Sequence, residues 1–235
     1  MIKLLDISKD IKFIESSHQY FLGDKELVST TTVLSKYKEP FDPTGIIAYK
    51  CAQREGISKD EIQAKWKKTS EDACLYGTNV HAQIENYLIT NKIGDTPEKD
   101  IIEDFSKIKF KGTIYPELRL KSLEYGLAGT CDIGILNKNI VKIHDIKTNK
   151  RFYIKPRYGN KFLYPLEDIP ECHLTMYSLQ ILIYGEMVKE HGFDFEPGHI
   201  LWVNPESRRI EKFEVLDLNK EVKLLLKHYK SLQDW

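Results

Sequence analysis

Two carboxylates and an amine are spaced so that they could hydrolyse a phosphodiester with the help of a metal ion. Asp132 ends the tetrapeptide GTCD, and Asp145 is followed after one residue by Lys147. Carboxylate oxygens are ligands that Mg²⁺ prefers, and backbone carbonyls and waters can complete its octahedron. A bound ion polarises the phosphoryl oxygen and lowers the pKa of a water ligand. A nearby ammonium can stabilise the charge that develops on phosphorus or orient the attacking water.

The same residues also have an ordinary structural explanation. An Asp-Ile-Lys triplet by itself could be an exposed ion pair at the end of a strand, and such pairs contribute little to stability. The choice between the two interpretations depends on the elements that carry these side chains.

A β-hairpin is predicted to carry both carboxylates. Two apolar, β-branched runs, Leu127 to Leu136 and Ile140 to Ile146, flank a short polar connection at residues 137–139, which is typical of a hairpin. Residues i and i+2 of a strand project from the same face. Asp145 and Lys147 should therefore lie side by side, with Asp132 on the adjoining strand.

A helix from Ser70 to about Asn91 is predicted upstream of the hairpin. Its apolar positions recur three to four residues apart and define one core-facing stripe: Ala73, Gly77, Val80, Ile84 and Leu88. His81 and Glu85 share a face beside this stripe. A histidine in such a position can be an ordinary core residue or a metal ligand, and both interpretations are open for His81.

Three further polar side chains have two interpretations each. Glu117 follows Pro116, which indicates an edge or the start of a strand, and its carboxylate either faces solvent or joins the site. Gln180 and Tyr184 share a face of an apolar helix from about Glu171 to His191. They either border the site or are two ordinary polar positions of a buried helix.

The remaining patterns predict an α/β fold, with a mixed sheet and helices on both faces. A hairpin is predicted over residues 11–30, followed by hydroxyl residues at 29–32 that cap a helix or hold a phosphate. Further helices are predicted from Pro43 to Arg54, from a capping box at Ser58 to about Lys68, and from Thr96 to about Ile108. A second hairpin is predicted at 198–204 and 209–216, before a final helix that Asp217 caps and that ends near Leu232.

A loop rich in cations and aromatic rings follows Thr148. Its members alternate between the two types: Lys150, Arg151, Phe152, Tyr153, Lys155, Arg157, Tyr158, Lys161, Phe162 and Tyr164. Cations neutralise phosphates and ring faces accept bases, so an exposed loop of this composition suits a single-stranded or frayed nucleic-acid end. Alternatively, the rings pack inward and the cations are solvated.

The order of these motifs resembles the PD-(D/E)XK nuclease superfamily, and specifically its RecB-like exonuclease branch. The resemblance spans about residues 77 to 184 and consists of G-x-x-x-H ending at His81, Glu117, G-x-x-D ending at Asp132, D-x-K at 145–147, and Q-x-x-x-Y from Gln180 to Tyr184. The stretch YFLGDKELVSTTTVL also resembles the entry segment of phage-type and mitochondrial members.

The resemblance implies a restriction-endonuclease-like core and a metal-dependent DNA exonuclease. It implies that Mg²⁺ or Mn²⁺ is held by His81, Asp132, Asp145 and the backbone carbonyl of Ile146. It implies that Lys147 activates or positions water. It further implies an outer shell that consists of Glu117, Gln180 and Tyr184. Some relatives bind an iron–sulfur cluster through one early cysteine and a tight C-terminal group of three; that group is absent here, so no cluster is expected.

Length and composition favour a single domain. The chain has 235 residues, which we divide into an N-terminal hairpin and helical wall (1–110) and a catalytic core (111–235). Its 35 basic and 35 acidic residues cancel, so a nuclease would need a local basic surface. DNA with a free end or a single-stranded tail is the expected partner, with no membrane partner.

Cysteine usage and hydropathy indicate a soluble protein of the cytoplasm of a bacterium or phage-infected cell. The four cysteines lack C-x-x-C spacing, which favours reduced thiols. No apolar run is long enough to cross a bilayer, and the N-terminus lacks the apolar core of a signal peptide.

Two other functions are compatible with the same motifs. One is a structure-selective or sequence-specific endonuclease of the same fold. The other is a non-catalytic nucleic-acid-binding subunit, which is less expected because Asp132, Asp145 and Lys147 are all present.

Overall fold

One mixed eight-stranded sheet with helices on both faces forms the fold in a computed structural model that describes residues 4–233. The strands are β1 (Ile11–Ile14), β2 (Gln19–Leu22), β3 (Lys25–Ser29), β4 (Thr113–Ser122), β5 (Leu127–Asn137), β6 (Ile140–Lys147), β7 (Asp194–Asn204) and β8 (Arg209–Glu214). The helices are α1 (Leu5–Ser8), α2 (Thr30–Ser35), α3 (Ile46–Glu55), α4 (Lys59–Thr90), α5 (Lys99–Phe105), α6 (His173–Glu190) and α7 (Asn219–Ser231). The predicted α/β class is confirmed.

The sheet has a gap along one edge of β5. Its order is β1-β2-β3-β5-β6-β7-β8, with β4 also paired to β5. Because β4 occupies one edge of β5 from Leu127 to Leu136, β3 and β6 must share the other edge. There β3 pairs only with Leu127 and Ala128, while β6 pairs from Ile133 onward. Residues 129–132 therefore lie between two diverging neighbours, β3 and β6.

Each face of the sheet has its own hydrophobic core. On one face α2, α6 and α7 pack against β4, β6 and β7, and on the other α4 and α5 pack against β5, β6 and β7. Alternate residues of a strand point to opposite faces, so Ile143 joins the first core and Ile146 the second. The gap beside β5 lets side chains from both layers of helices reach one place.

The hairpin between β5 and β6 is confirmed. A two-residue loop connects the strands, and Lys138 in that loop adopts the left-handed conformation with φ +57°, as tight hairpins require. The predicted edge position of Pro116 is also confirmed, because β4 pairs with β5 alone. A proline has no N–H to donate, so it is tolerated where one side of the strand is free.

The two helices predicted between Ser58 and Asn91 are one helix, α4, of 32 residues. Ser58 forms the predicted capping box with Glu61, but Ser70 lies inside the helix and is not a cap. Thr69 donates its hydroxyl to the carbonyl of Lys65 at 2.8 Å, as hydroxyl residues inside a helix can do. Ala73 is exposed, and the core-facing stripe begins only at Gly77.

Other element boundaries also differ from the predictions. Helix α3 begins at Ile46, because Asp42 accepts hydrogen bonds from Thr44 and holds residues 42–44 in a turn outside the helix. Residues 11–30 form three strands rather than one hairpin, and α5 is shorter than predicted at both ends.

Of two predicted helix caps, Ser29 is confirmed and Asp217 is wrong. Ser29 caps α2, its hydroxyl accepting the Thr32 N–H at 3.1 Å. The N-cap of α7 is Leu218, and Asp217 instead accepts from Asn219. Within residues 4–233, no helix is long and apolar enough to cross a membrane.

Candidate metal and catalytic site

A cavity of about 420 Å³ lies at the gap where β5 and β6 separate. Regular pairing of the two strands ends at Ile133 and His144. Every side chain that the sequence predicted as catalytic or metal-binding lines the cavity: His81 from α4, Glu117 from β4, Asp132 from β5, Asp145 and Lys147 from β6, and Gln180 and Tyr184 from α6. Elements from both faces of the sheet thus meet at one place.

Asp145 and Lys147 form an ion pair inside this cavity. The Nζ of Lys147 lies 2.6 Å from Oδ2 of Asp145, and the side chains of Lys147 and Asp145 are 18% and 2% exposed. Lys147 Nζ also lies 4.6 Å from the centre of the Tyr177 ring, a favourable position for a cation. Gln180 donates from Nε2 to Oδ1 of Asp145 at 3.4 Å. The ammonium is therefore held between a carboxylate and a ring.

Asp132 links β5, β6 and α4. Its Oδ1 lies 3.2 Å from Nδ1 of His81, and its Oδ2 accepts the backbone N–H of Ile146. The hydrogen bond from Ile146 to Asp132 connects β6 to β5 just beyond Ile133 and His144, the last regular pair of the hairpin. The role of the Ile146 carbonyl as a ligand stays a prediction.

Glu117 lies beside His81 and Asp132. It stands opposite Asp132, because the flanking pairs are Pro116 with Ile133 and Leu118 with Cys131. Its φ is +47°, a left-handed conformation that is rare for a non-glycine residue in a strand. Such strained residues persist where the surrounding structure holds them, and they cluster at functional sites.

His81, Glu117 and Asp132 fit a divalent cation. One ligand atom from each residue lies within 4.8 Å of the other two, so the three residues could hold one metal ion together. Two carboxylates and one imidazole suit Mn²⁺ or Mg²⁺ completed by water. In addition, Oδ2 of Asp145 is buried with no hydrogen bond, although it is in ion-pair contact with Lys147.

The predicted ligand set and the observed cluster therefore overlap only in part. His81 and Asp132 are common to both, whereas Glu117 takes the third position. Asp145 lines the same cavity and is paired with Lys147. The conformation of Glu117 could not have been foreseen, because nothing in a Pro-Glu dipeptide indicates a positive φ.

Burial, with help from neighbouring carboxylates, raises two of the pKa values in the cavity. Burial raises the pKa of Glu117 to about 7, and the negative charge of Asp132 adds to the effect. Burial also raises the pKa of Asp145 to about 6, although Lys147 opposes the shift. A divalent cation would supply the positive charge that this set of acids lacks.

The pKa values of His81 and Asp132 shift so that both groups favour their charged forms. Burial opposes ionisation of Asp132, but the charge of His81, then that of Lys147, and the N–H of Ile146 outweigh it and lower its pKa. Burial likewise opposes the charged form of His81, but Asp132 outweighs it and raises the pKa of the imidazole. Asp132 is therefore the acid of the cavity most easily kept ionised.

A chain of hydrogen bonds connects Gln180 and Tyr184 to β5. Gln180 donates from Nε2 to the Tyr184 hydroxyl at 3.1 Å, which donates to the carbonyl of Thr130 at 3.2 Å. Gly129 permits this arrangement, because a Cβ at that position would lie 2.6 Å from the Tyr184 ring. The shared face of Gln180 and Tyr184, predicted from their spacing, is confirmed by their hydrogen bond.

The loop after Thr148 presents its cations but few of its rings. Lys150, Arg151, Lys155, Arg157 and Lys161 are exposed. Phe162 is buried, Phe152 packs against the core, and the Tyr153 ring lies 5.1 Å from that of His173. Tyr158, which is 76% exposed, and Tyr164 are the rings left open. Contact with nucleic acid stays a prediction for this loop.

Several cavity residues were missed by sequence reasoning. Phe13, His18 and Tyr20, from β1, β2 and the turn between them, line the cavity, and no local motif indicated this. Arg119 lines an adjoining cavity, and it had a weak signal, because it follows Glu117 by two residues and so shares its face of the strand. Tyr177, under the Lys147 ammonium, precedes Gln180 by nearly one turn of α6.

Comparisons with known proteins do not identify a family for this chain. No family model matches the sequence, and no curated protein matches it. A solved structure titled "Crystal structure of SSO0001" is similar over 87% of this chain and 86% of that chain, with 16% sequence identity and a TM-score of 0.38. Function is therefore inferred from the residues of the cavity itself.

Proposed function

We propose that this protein is a divalent-metal-dependent deoxyribonuclease, an exonuclease that hydrolyses phosphodiester bonds from DNA ends or single-stranded tails. The observation that carries the proposal is the joint presence, in one cavity, of the cluster of His81, Glu117 and Asp132 and of the Asp145–Lys147 pair. An isolated strand-end ion pair would require neither the additional acids nor the cavity.

His81, Glu117 and Asp132 would hold Mg²⁺ or Mn²⁺, with Asp145 beside them. The ion, when bound, supplies Lewis-acid activation of the phosphoryl group and of a water molecule. The protein contributes the positions of the ligands: Asp132 is fixed by the Ile146 N–H, and Glu117 by the strand that pairs with β5. No iron–sulfur cluster is part of the proposal.

Lys147 would stabilise the charge that develops on the phosphoryl oxygens. Its ammonium is nearly buried, and a fixed charge in such surroundings acts more strongly than one in water. Asp145 and the Tyr177 ring keep it in place. Gln180 orients Asp145, and Tyr184 connects Gln180 to β5, so both act as positioning residues.

DNA is the proposed partner because an exposed basic segment directly follows the catalytic strand. Lys150 and Arg151 are exposed and come within four residues of Lys147, and Lys155 and Arg157 continue the segment. A phosphate backbone leaving the cavity toward this loop would find cations to neutralise it. Recombination, repair or phage DNA processing in the cytoplasm is the proposed setting.

Cleavage assays on linear and circular DNA test the proposal. Linear DNA labelled at the 5′ or the 3′ end, and covalently closed circles, are incubated with Mg²⁺ or Mn²⁺ and with a chelator. Wild-type protein should shorten linear DNA only when metal is present, and Asp132→Asn should abolish cleavage. The matched control is Glu103→Gln, an exposed acid on α5, which should retain activity.

Each other outcome favours a different function. Cutting of closed circles would favour a structure-selective endonuclease. Binding of DNA without cleavage under any metal would favour a nucleic-acid-binding subunit. Absence of both binding and cleavage would contradict the proposal altogether.

A further inference from the structure

The catalytic cavity continues into a second cavity of about 490 Å³. The two share part of their walls, including His81 and Glu117. One part of the combined groove is lined by Phe13 of β1, by Tyr20 of β2, by Glu15 and His18 of the turn between these strands, and by Arg119 of β4. None of these residues has a role in the proposed hydrolysis.

Phe13 organises the aromatic side of the groove. Its ring centre lies 4.6 Å from that of Tyr20 and 5.2 Å from that of His18, which it meets edge to face. The guanidinium carbon of Arg119 lies 5.6 Å from the same ring centre. A single half-buried ring thus fixes both an imidazole and a guanidinium beside the candidate metal site.

His18 and Arg119 are both available to a ligand. His18 is exposed at the end of a 3-10 turn, Glu15–Ser17, and is fixed there by a left-handed backbone with φ +52°. Arg119 is exposed and forms no ion pair with any carboxylate among residues 4–233. A cation that is held by a ring but not neutralised keeps its charge for an anionic partner.

Tyr20 anchors this surface to the catalytic strands. Its hydroxyl lies 3.1 Å from Oγ1 of Thr130, two residues before Asp132. Tyr20 is itself buried. The distance between the aromatic surface and the candidate metal site is therefore set by packed elements rather than by a mobile loop.

We propose that His18 and Arg119 form a nucleotide subsite next to the phosphate that is cleaved. The imidazole stacks on an unpaired base, and the guanidinium pairs with the neighbouring backbone phosphate. Base-to-ring stacking accepts any base, but only one that is outside a duplex stack, and the guanidinium fork matches a phosphate bidentately. This inference rests on the proposed nuclease function and assigns its substrate as a strand with unpaired bases at the site.

Substrates with and without bases test the subsite. The assay compares a single-stranded oligonucleotide with bis(p-nitrophenyl) phosphate, a diester that has no bases and no neighbouring phosphate. His18→Ala and Arg119→Ala should each raise KM for the oligonucleotide about tenfold. Both should leave kcat/KM for the small diester within about twofold of wild type, since they do not touch the reacting group.

Lys12→Ala is the matched control. Lys12 is an exposed cation on β1, next to Phe13 and so on the other face of the strand. Its removal should leave KM for the oligonucleotide unchanged. Equal KM values for all three variants would overturn the proposal. Equal losses on both substrates would also overturn it, because they would show a general structural role.

An abasic oligonucleotide identifies the group that His18 contacts. Removing the bases should weaken wild-type binding about tenfold and should produce no further loss in His18→Ala. Arg119→Ala should still lose affinity when the bases are removed, because its partner is a phosphate. A full further loss in His18→Ala would contradict stacking on this ring.

Binding measurements separate failure of the subsite from failure of the nuclease function. If wild-type protein cleaves neither substrate with Mg²⁺ or Mn²⁺, the proposed function fails. Fluorescence anisotropy with the labelled oligonucleotide then still tests the subsite. His18→Ala and Arg119→Ala should raise Kd about tenfold relative to Lys12→Ala, and equal values would overturn the inference.

Discussion

The ammonium of Lys147 lies 2.6 Å from a carboxylate oxygen of Asp145, two residues away on the same strand, and that carboxylate is almost wholly enclosed. Isolated pairs of this type are common on protein surfaces, where they contribute little. Here the pair lies in a cavity with Glu117 and Asp132, which are also acids. Its energetics are therefore those of a buried pair, whose members depend on each other.

The amine of Lys147 should contribute to both activity and stability, and a double variant should separate the two. Lys147→Ala should lower kcat at least about a hundredfold, because in the proposed mechanism this ammonium stabilises the transition state. It should also lower the free energy of unfolding by about 3 kcal/mol, since Asp145 is left buried and uncompensated. The double variant Asp145→Asn with Lys147→Gln should recover much of that stability but none of the activity, as measured by urea unfolding and by DNA cleavage.

Lys142 provides the control for this prediction. It lies on the same strand and pairs with Glu196 at 2.7 Å, near the surface. Lys142→Ala should change stability by less than about 1 kcal/mol and leave cleavage intact. Similar costs for Lys142→Ala and Lys147→Ala would contradict the distinction drawn between the two pairs.

A side chain at Gly129 should lower the stability of the protein. A Cβ there would lie 2.6 Å from the buried ring of Tyr184, so Gly129→Ala should force Tyr184 away from Thr130. The expected cost is about 1–3 kcal/mol of unfolding free energy, together with reduced cleavage. Gly94→Ala is the control, because its Cβ would meet Thr96 at an ordinary distance of 3.4 Å. Equal thermal stability of the two variants would count against this close packing.

Stability of the metal-free protein should fall in acid because of His144. Burial lowers the pKa of this imidazole to about 4, and the nearby charge of His199 adds to the effect. Its Nδ1 accepts the backbone N–H of His199 at 3.0 Å. This nitrogen therefore carries no proton in the fold, and the imidazole is neutral. The unfolded chain takes up this proton near its ordinary pKa of about 6.5. The stabilisation is therefore complete above pH 6.5 and is lost as pH falls toward 4, by about 3 kcal/mol in all.

Comparison with His144→Phe isolates that contribution. Phenylalanine cannot titrate and can keep the ring contacts with Phe110 and His199. The unfolding free energy of wild type should fall relative to that of His144→Phe as pH falls from 6.5 to 4. A difference that stays constant across this range would show that His144 does not titrate as proposed.

The exposed basic segment that follows β6 should make oligonucleotide binding depend on salt concentration. Removing Arg151 and Arg157 together should weaken oligonucleotide binding and reduce the slope of log K against log salt by about 0.7 for each phosphate that the variant no longer neutralises. Lys223 and Lys227, exposed on α7, provide a double control of equal charge. An unchanged slope in the arginine variant would show that the oligonucleotide binds to another surface of the protein.

Local patterns predicted the hairpin and the side-by-side placement of Asp145 and Lys147. Strand alternation fixes which side chains share a face, and short loops fix which strands adjoin. The spacing of Gln180 and Tyr184 predicted their shared face for the same reason, because residues four apart are neighbours on a helix. These features depend only on residues close together in the chain.

Features that depend on distant pairing were not predictable. His18 reaches the cavity because β3 pairs with β5 across about a hundred residues of sequence. The separation of β5 from β6 beyond Ile133 depends on the competing partners of both strands. Helix α4 continues through Ser70, because the preference of serine for a cap over a helix interior is too weak to end a helix that the surrounding residues favour.

The most direct test is the position of a metal ion in crystals soaked with Mn²⁺. Anomalous diffraction should give a peak between His81, Glu117 and Asp132, at ligand distances of about 2.1 Å, and Asp132→Asn should remove it. Absence of a peak at these residues in crystals of the wild-type protein that bind Mn²⁺ elsewhere would contradict the account.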